Sequence, residues 1–133
     1  MAAELRLAIC ADTDVIAARQ QGKALAAECG FTAGDQTVIA VAISEVARNI
    51  LRYARSGEVT LAAVNHSTRT GIIVVARDQG PGIRDVDLAM QDGYSTSGGL
   101  GLGLPGARRL MDEFEIASAV GEGTTITMKK WKA

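Results

Sequence analysis

The sequence predicts an α/β two-layer sandwich built on a mixed sheet, and three observations carry that prediction. Apolar stretches of strand length come in pairs around turn residues, 59–64 with 71–76 and 114–116 with 125–128. Helical patterns are few, two before residue 55 and one after residue 100. The chain has 133 residues, 47% hydrophobic and 22% charged, enough for one domain with a real core and no more.

In chain order, Leu5-Arg6-Leu7-Ala8-Ile9-Cys10 alternates as a strand should. Asp12 is expected to cap a helix whose inner face carries Val15, Ala18, Gly22, Leu25 and Cys29, with Gly30 as its stop. Thr32-Ala33-Gly34-Asp35 opens a second helix that runs to about Ala54. Residues 38–43 are apolar nearly all round, so this helix should be the most buried, its stripe continuing as Val46 and Ile50. Strands 59–64 and 71–76 form a hairpin around a polar loop, 65–70. The unbroken, β-branched Ile72-Ile73-Val74-Val75 reads as a central strand. Asp78-Gln79-Gly80-Pro81-Gly82 then breaks the pattern. Residues 84–100 are mixed, with one short helical turn at 86–90. A third helix begins near Gly101 and passes through Met111, and two strands close the chain around Gly121-Glu122-Gly123.

Composition excludes several functions. Fourteen basic and fifteen acidic residues leave a net charge of −1, which argues against a cationic nucleic-acid grip or a polybasic membrane anchor. No apolar run reaches bilayer length, and Glu4 stands where a signal peptide wants cations, so a cytoplasmic protein is expected. Cys10 and Cys29 are too few for a disulfide scaffold and too distant for a CxxC site; both read as small buried side chains. Fifteen glycines against two prolines is the unusual count. Eight of those glycines fall between Gly80 and Gly106, which points to a specialised loop region there.

Four features bear on chemistry. Glu45 and Asn49, four apart on the second helix, share a face and suit a divalent cation and a hydroxyl to be activated. Alone, the pair reads equally as a solvated face with Arg48 and Arg52. Asp78 ends the most buried strand and can accept a hydrogen bond from an exocyclic amine such as that of adenine. Gly80 and Gly82 let the backbone pass close to a flat ring. Gly99-Leu100-Gly101-Leu102-Gly103 leads into a helix, where unobstructed N–H groups attract phosphate. Residues 101–106 spell G-x-G-x-x-G, but no strand precedes them and too little chain follows for a dinucleotide fold; no Lys-Ser or Lys-Thr completes a P-loop. Thr124 could set a hydroxyl beside a ligand or merely begin a strand. His66 reads as a surface residue of the hairpin loop.

The order of these signals is more specific than any one of them. Glu45…Asn49, Asp78-x-Gly80-x-Gly82, Gly99-x-Gly101-x-Gly103 and Gly123-Thr124 together resemble the GHKL ATPase/kinase superfamily over nearly the whole chain. Ser44-Glu45-Val46-Ala47-Arg48-Asn49-Ile50 is similar to the small bacterial serine kinases of the partner-switching type. The stretch from Asp92-Gly93-Tyr94-Ser95-Thr96-Ser97 to Gly101, with Leu104-Pro105-Gly106 and residues 109–114, resembles the stressosome switch kinases in particular.

The resemblance implies one domain over 1–133, a Bergerat-type sandwich with a largely antiparallel sheet and helices on one face, binding ATP and Mg²⁺. Asp78 would read the adenine amino group, supported by Thr124, with Gly80 and Gly82 bordering the base. The backbone from Gly99 through Leu100, Gly101 and Leu102 to Gly103 would cradle the phosphates, and residues 84–100 would form the ATP lid. Asn49 would hold Mg²⁺ and Glu45 would be the general base towards a serine or threonine hydroxyl. The implied partners are STAS-domain substrates of the stressosome RsbS/RsbR type and then, after release, a PP2C-type phosphatase of the RsbU type. An anti-sigma factor kinase that phosphorylates an anti-anti-sigma STAS protein is the alternative. A histidine-kinase catalytic domain fits less well, lacking a helical hairpin with an acceptor histidine. One departure stands out: no Lys or Arg lies between Gln91 and Gly103, leaving Arg84, Arg108 and Arg109 as the nearest cations for the terminal phosphate.

Overall fold

Alternation along the strands sorts the sheet into two faces. In the computed structural model, which describes residues 4–81 and 103–132, every second strand residue enters one core: Val59 and Leu61, Ile72, Val74 and Ala76, Ile126 and Met128. Five strands result, β1 (Leu5–Ile9), β2 (Gly57–His66), β3 (Arg69–Asp78), β4 (Glu113–Ala119) and β5 (Gly123–Trp131), in the spatial order β1-β2-β3-β5-β4. The residues expected to form the central strand do so. Each pairing is antiparallel, so among the described residues the mixed sheet resolves into a fully antiparallel one.

Three described helices, α1 (Asp12–Glu28), α2 (Ala33–Ala54) and α3 (Gly103–Leu110), complete the layer above that face. The α2 side chains Ile39, Ile43, Val46 and Ile50 are fully buried and lie in the same cluster as the inner strand residues. Each contributes about 1.5–3 kcal/mol of burial. Gly22 of α1 faces Ile43 so closely that a Cβ would overlap its Cδ1, which explains a glycine inside a helix. None of these helices is long and apolar enough to cross a membrane.

The helix ends refine the sequence reading. Ala11, not Asp12, occupies the cap position of α1; the Asp14 carboxylate accepts from the Cys10 and Ala11 N–H groups at 2.9 and 3.1 Å. Gly30, at φ +87°, ends α1 as expected, the Gly30 and Phe31 N–H groups donating back to the Ala27 and Ala26 carbonyls. Thr32 caps α2 by accepting from the Asp35 N–H.

The hairpin loop is shorter than expected. β2 and β3 pair as far as His66 and Arg69, leaving only Ser67 and Thr68 unpaired. Ser67 takes φ +61° in that turn. No Asn-Gly or Asp-Gly marks such a turn in the sequence, which is why the loop reads longer there. Cys10 is exposed and Cys29 half-buried, against the expectation of two buried thiols; Cys10 sits just past the last inward residue of β1, Ile9.

Candidate functional site

The antiparallel register sets Asp78 between Gly57 on β2 and Thr124 on β5. Asp78 is only 6% exposed, and its Oδ1 accepts from the Gly80 N–H at 3.0 Å and the Thr124 N–H at 3.2 Å. Two fixed donors on one oxygen orient the carboxylate, and its Oδ2 takes no hydrogen bond from any described residue. On a side chain otherwise shielded from water, an acceptor oxygen with that spare capacity is suited to an N–H donor from a ligand.

Close backbone approach holds this end of the sheet together. A Cβ on Gly80 would lie 2.5 Å from the Ala54 Cβ and 3.1 Å from the Tyr53 carbonyl oxygen. Its glycine is therefore required by the last turn of α2, a reason distinct from the approach of a flat ring. Gly123, at φ +92°, presses on the Asp78 carbonyl, where any Cβ would overlap. The Gly121 N–H donates to the Pro81 carbonyl at 2.7 Å, tying the turn after β3 to the β4–β5 turn. Ser118, opposite Thr124 in the β4–β5 ladder, brings its hydroxyl to 2.7 Å from that of Thr124.

On α2, Glu45 and Asn49 are each 7% exposed, which overturns the solvated-face alternative. Glu45 Oε1 accepts from the Gly103 N–H at 3.0 Å, and its Oε2 pairs with the Arg48 guanidinium at 3.2 Å. The Gly103 N–H is thus directed at the helix carboxylate rather than left open for an anion. Gly103 adopts φ +68° at the start of α3, a conformation that favours glycine. The Asn49 amide makes no hydrogen bond with any described residue, and since no fully buried side-chain polar atom goes unpaired among them, its oxygen and nitrogen keep their capacity on a side open to a ligand.

The structure strings these groups along one helix. Gly80 touches α2 at Ala54; Asn49 lies about 8 Å and Glu45 about 13 Å further back along the axis, at 1.5 Å per residue. Asp78, Gly80, Thr124, Asn49, Glu45 and Gly103 therefore all belong to one end of the fold and the adjoining flank of α2. Gly82, Gly99, Leu100, Gly101, Leu102, Arg84, the lid 84–100 and the helical turn at 86–90 lie outside the described residues. Among the described residues no three His, Cys, Asp or Glu side chains group as a metal site. A Mg²⁺ carried by a nucleotide needs only one or two side chains, because phosphates and water supply the rest, and the Asn49 amide oxygen fits that demand.

The roles of Arg48, Ser118 and Gly57 were not read from the sequence. Arg48 was visible in principle, three residues from Glu45 on one helix. Ser118 and Gly57 become neighbours of the site only through strand register, for which the sequence has no local signal.

A profile of the histidine kinase-like ATPase domain matches residues 10–130. Serine/threonine-protein kinase RsbT of Bacillus subtilis is 51% identical over 123 residues, 92% of this chain and 92% of that protein. Anti-sigma F factor of Caldanaerobacter subterraneus is 32% identical over 120 residues, 86% and 82% of the two chains. Among solved structures, the mycobacterial sensor histidine kinase MprB superposes with a TM-score of 0.53 at 15% identity, covering 98% of this chain and 97% of that one. The catalytic domain of histidine kinase ThkA does so at 0.52 and 14%, covering 99% and 96%. These two share the fold. Taken with the α/β sandwich and the buried carboxylates on β3 and α2, the matches place this chain in the histidine kinase-like ATPase domain family, in the group of relatives that includes the kinase RsbT.

Proposed function

We propose that this protein is an ATP-dependent protein serine/threonine kinase of a partner-switching system. The observation that carries the reading is the 51% identity to a serine/threonine-protein kinase across 92% of both chains. The buried, half-satisfied Asp78 and the buried Glu45–Asn49 pair supply groups suited to that chemistry.

In this reading the Asp78 Oδ2 accepts from the adenine amino group, with Thr124 beside it. Gly80 and Gly82 border the base, and the backbone from Gly99 to Leu102 surrounds the phosphates, the Gly103 N–H being held by Glu45. The Asn49 amide oxygen would hold Mg²⁺, which when bound would offset charge on the triphosphate. Glu45 takes the proton of a serine or threonine hydroxyl as its oxygen attacks the γ-phosphorus and the bond to the ADP oxygen breaks. Positioning and charge compensation are most of what phosphoryl transfer requires. Arg48 and the Gly103 N–H each hold one oxygen of Glu45, fixing the direction of the base.

The substrates in this reading are STAS-domain proteins, and a PP2C-type phosphatase is the partner after release. Labelled phosphate transfer from Mg-ATP to a STAS protein tests it, with Glu45→Ala as the control. Transfer is expected for the native chain and a loss of about 10²–10⁴-fold for the variant; equal transfer by both would sink the assignment of the base. The identity to anti-sigma F factors favours one second reading, an anti-sigma factor kinase. Stable capture of a sigma factor in a pull-down would select it over the switch kinase.

A further inference from the structure

We propose that Arg48, Arg52 and Arg55 form a docking strip beside Glu45 for an acidic surface on the protein that presents the hydroxyl. The inference rests on the kinase reading above and deepens it. Glu45, Arg48, Arg52 and Arg55 follow one another at spacings of three, four and three residues. They therefore make a single stripe along α2, about 15 Å long at 1.5 Å per residue. Ile43, Val46 and Ile50 fill the opposite, buried side of the helix, and all three arginines are exposed.

Three features set this strip apart from an ordinary solvated face. Arg52 and Arg55 make no ion pair among the described residues, in a chain whose net charge of −1 leaves carboxylates available. The Arg52 guanidinium lies 5.4 Å from the centre of the Tyr53 ring, which restrains it without neutralising it. Arg55 ends α2 at φ +70°, a conformation that glycine adopts at less cost, so the cation stands there against the local preference. The helix dipole favours cations in the last turn only, and it leaves Arg48 unexplained.

Position decides what covers the strip. In the kinase reading Glu45 takes the proton of the incoming hydroxyl, and the arginines continue its own stripe on the solvent side of α2. The protein that delivers the hydroxyl therefore lies across them. Carboxylates on that protein would pair with the guanidinium groups, whereas a basic surface would be repelled. Charges of this kind act more on encounter and on the choice of partner than on the chemical step.

The test follows phosphate transfer from Mg-ATP against the concentration of a STAS protein, with ATP affinity by calorimetry as the control for an intact pocket. In the double variant Arg52→Glu/Arg55→Glu the KM for the STAS protein should rise about tenfold, with kcat and ATP affinity within about twofold of native. Arg52→Lys/Arg55→Lys keeps the charge and should keep the native KM within about twofold. Arg55→Gly relieves the positive φ, so it should unfold no earlier than the native chain, yet raise that KM about threefold. A purely structural arginine would not separate stability from KM in this way. An unchanged KM in the charge reversal or in Arg55→Gly, or an equal rise in the lysine variant, overturns the proposal. So does retention of a DNA duplex at about 0.15 M salt that the reversal abolishes, which would assign the strip to nucleic acid. Absence of transfer by the native chain would instead sink the kinase reading, and the docking strip with it.

Discussion

Asp78 and Glu45 are both buried carboxylates, yet their partners leave them different work. Asp78 spends one oxygen on two backbone donors and keeps the other, whereas each oxygen of Glu45 already has a donor. Asp78→Asn puts an amide in place of an acceptor-only group, so ATP affinity measured by calorimetry should fall about 10- to 100-fold. Unchanged affinity would place the nucleotide elsewhere. Arg48→Ala should lower the rate of phosphate transfer while leaving the KM for ATP near its native value, because Arg48 orients the base. Its effect should stay below that of Glu45→Ala, since Gly103 still holds the other oxygen and Arg48 is more than half exposed. Asp78, Glu45 and Asn49 were legible because the spacing of acid, amide and glycine survives as a linear pattern. Ser118 was not, since its meaning comes from a cross-strand partner.

Among the elements, α2 does most to shape the site. Its inner stripe anchors it to the sheet, which leaves Glu45 and Asn49 on the flank that α3 partly covers. Thr32→Ala removes the cap and should cost about 1 kcal/mol in denaturant unfolding, with little change in ATP affinity. α3 is held from its far end: the Asp112 carboxylate accepts from the Trp131 N–H at 2.7 Å, and Lys130 Nζ donates to the Leu110 carbonyl at 3.2 Å. Nothing adjacent to Asp112 in the sequence marks this role. Its partner lies nineteen residues on, in β5. At the β4–β5 turn, Gly123→Ala forces a Cβ onto the Asp78 carbonyl at a positive φ. The expected result is a loss of several kcal/mol together with ATP binding, read by thermal unfolding and calorimetry.

For the whole molecule, a ligand that binds only the folded chain adds stability by mass action. ATP at a hundred times its dissociation constant should contribute about 2.7 kcal/mol, a rise of roughly 10 °C in Tm for a domain of this size. Asp78→Asn should lose most of that rise at the same ATP concentration. The two thiols should also part company. Burial, and then the negative charge of Glu28, push the Cys29 thiol above its ordinary pKa, with Lys132 opposing. Less of it is thiolate at any given pH, so mass-resolved alkylation at pH 8 should label the exposed Cys10 first. Faster modification of Cys29 would contradict its burial.

By itself the sequence determined the class of fold, the order of its strands and helices, and the residues that carry the acid, amide and glycine signals. Hydrophobic period and turn chemistry act over a few residues, and those short ranges are written directly in the chain. Only the tertiary structure decided that every pairing among the described residues is antiparallel, that Ser118 and Gly57 meet Thr124 and Asp78, and that Gly103 donates to Glu45 across 58 positions. Those outcomes follow from register and layer packing, which many distant side chains settle together, so no local stretch of the chain contains them.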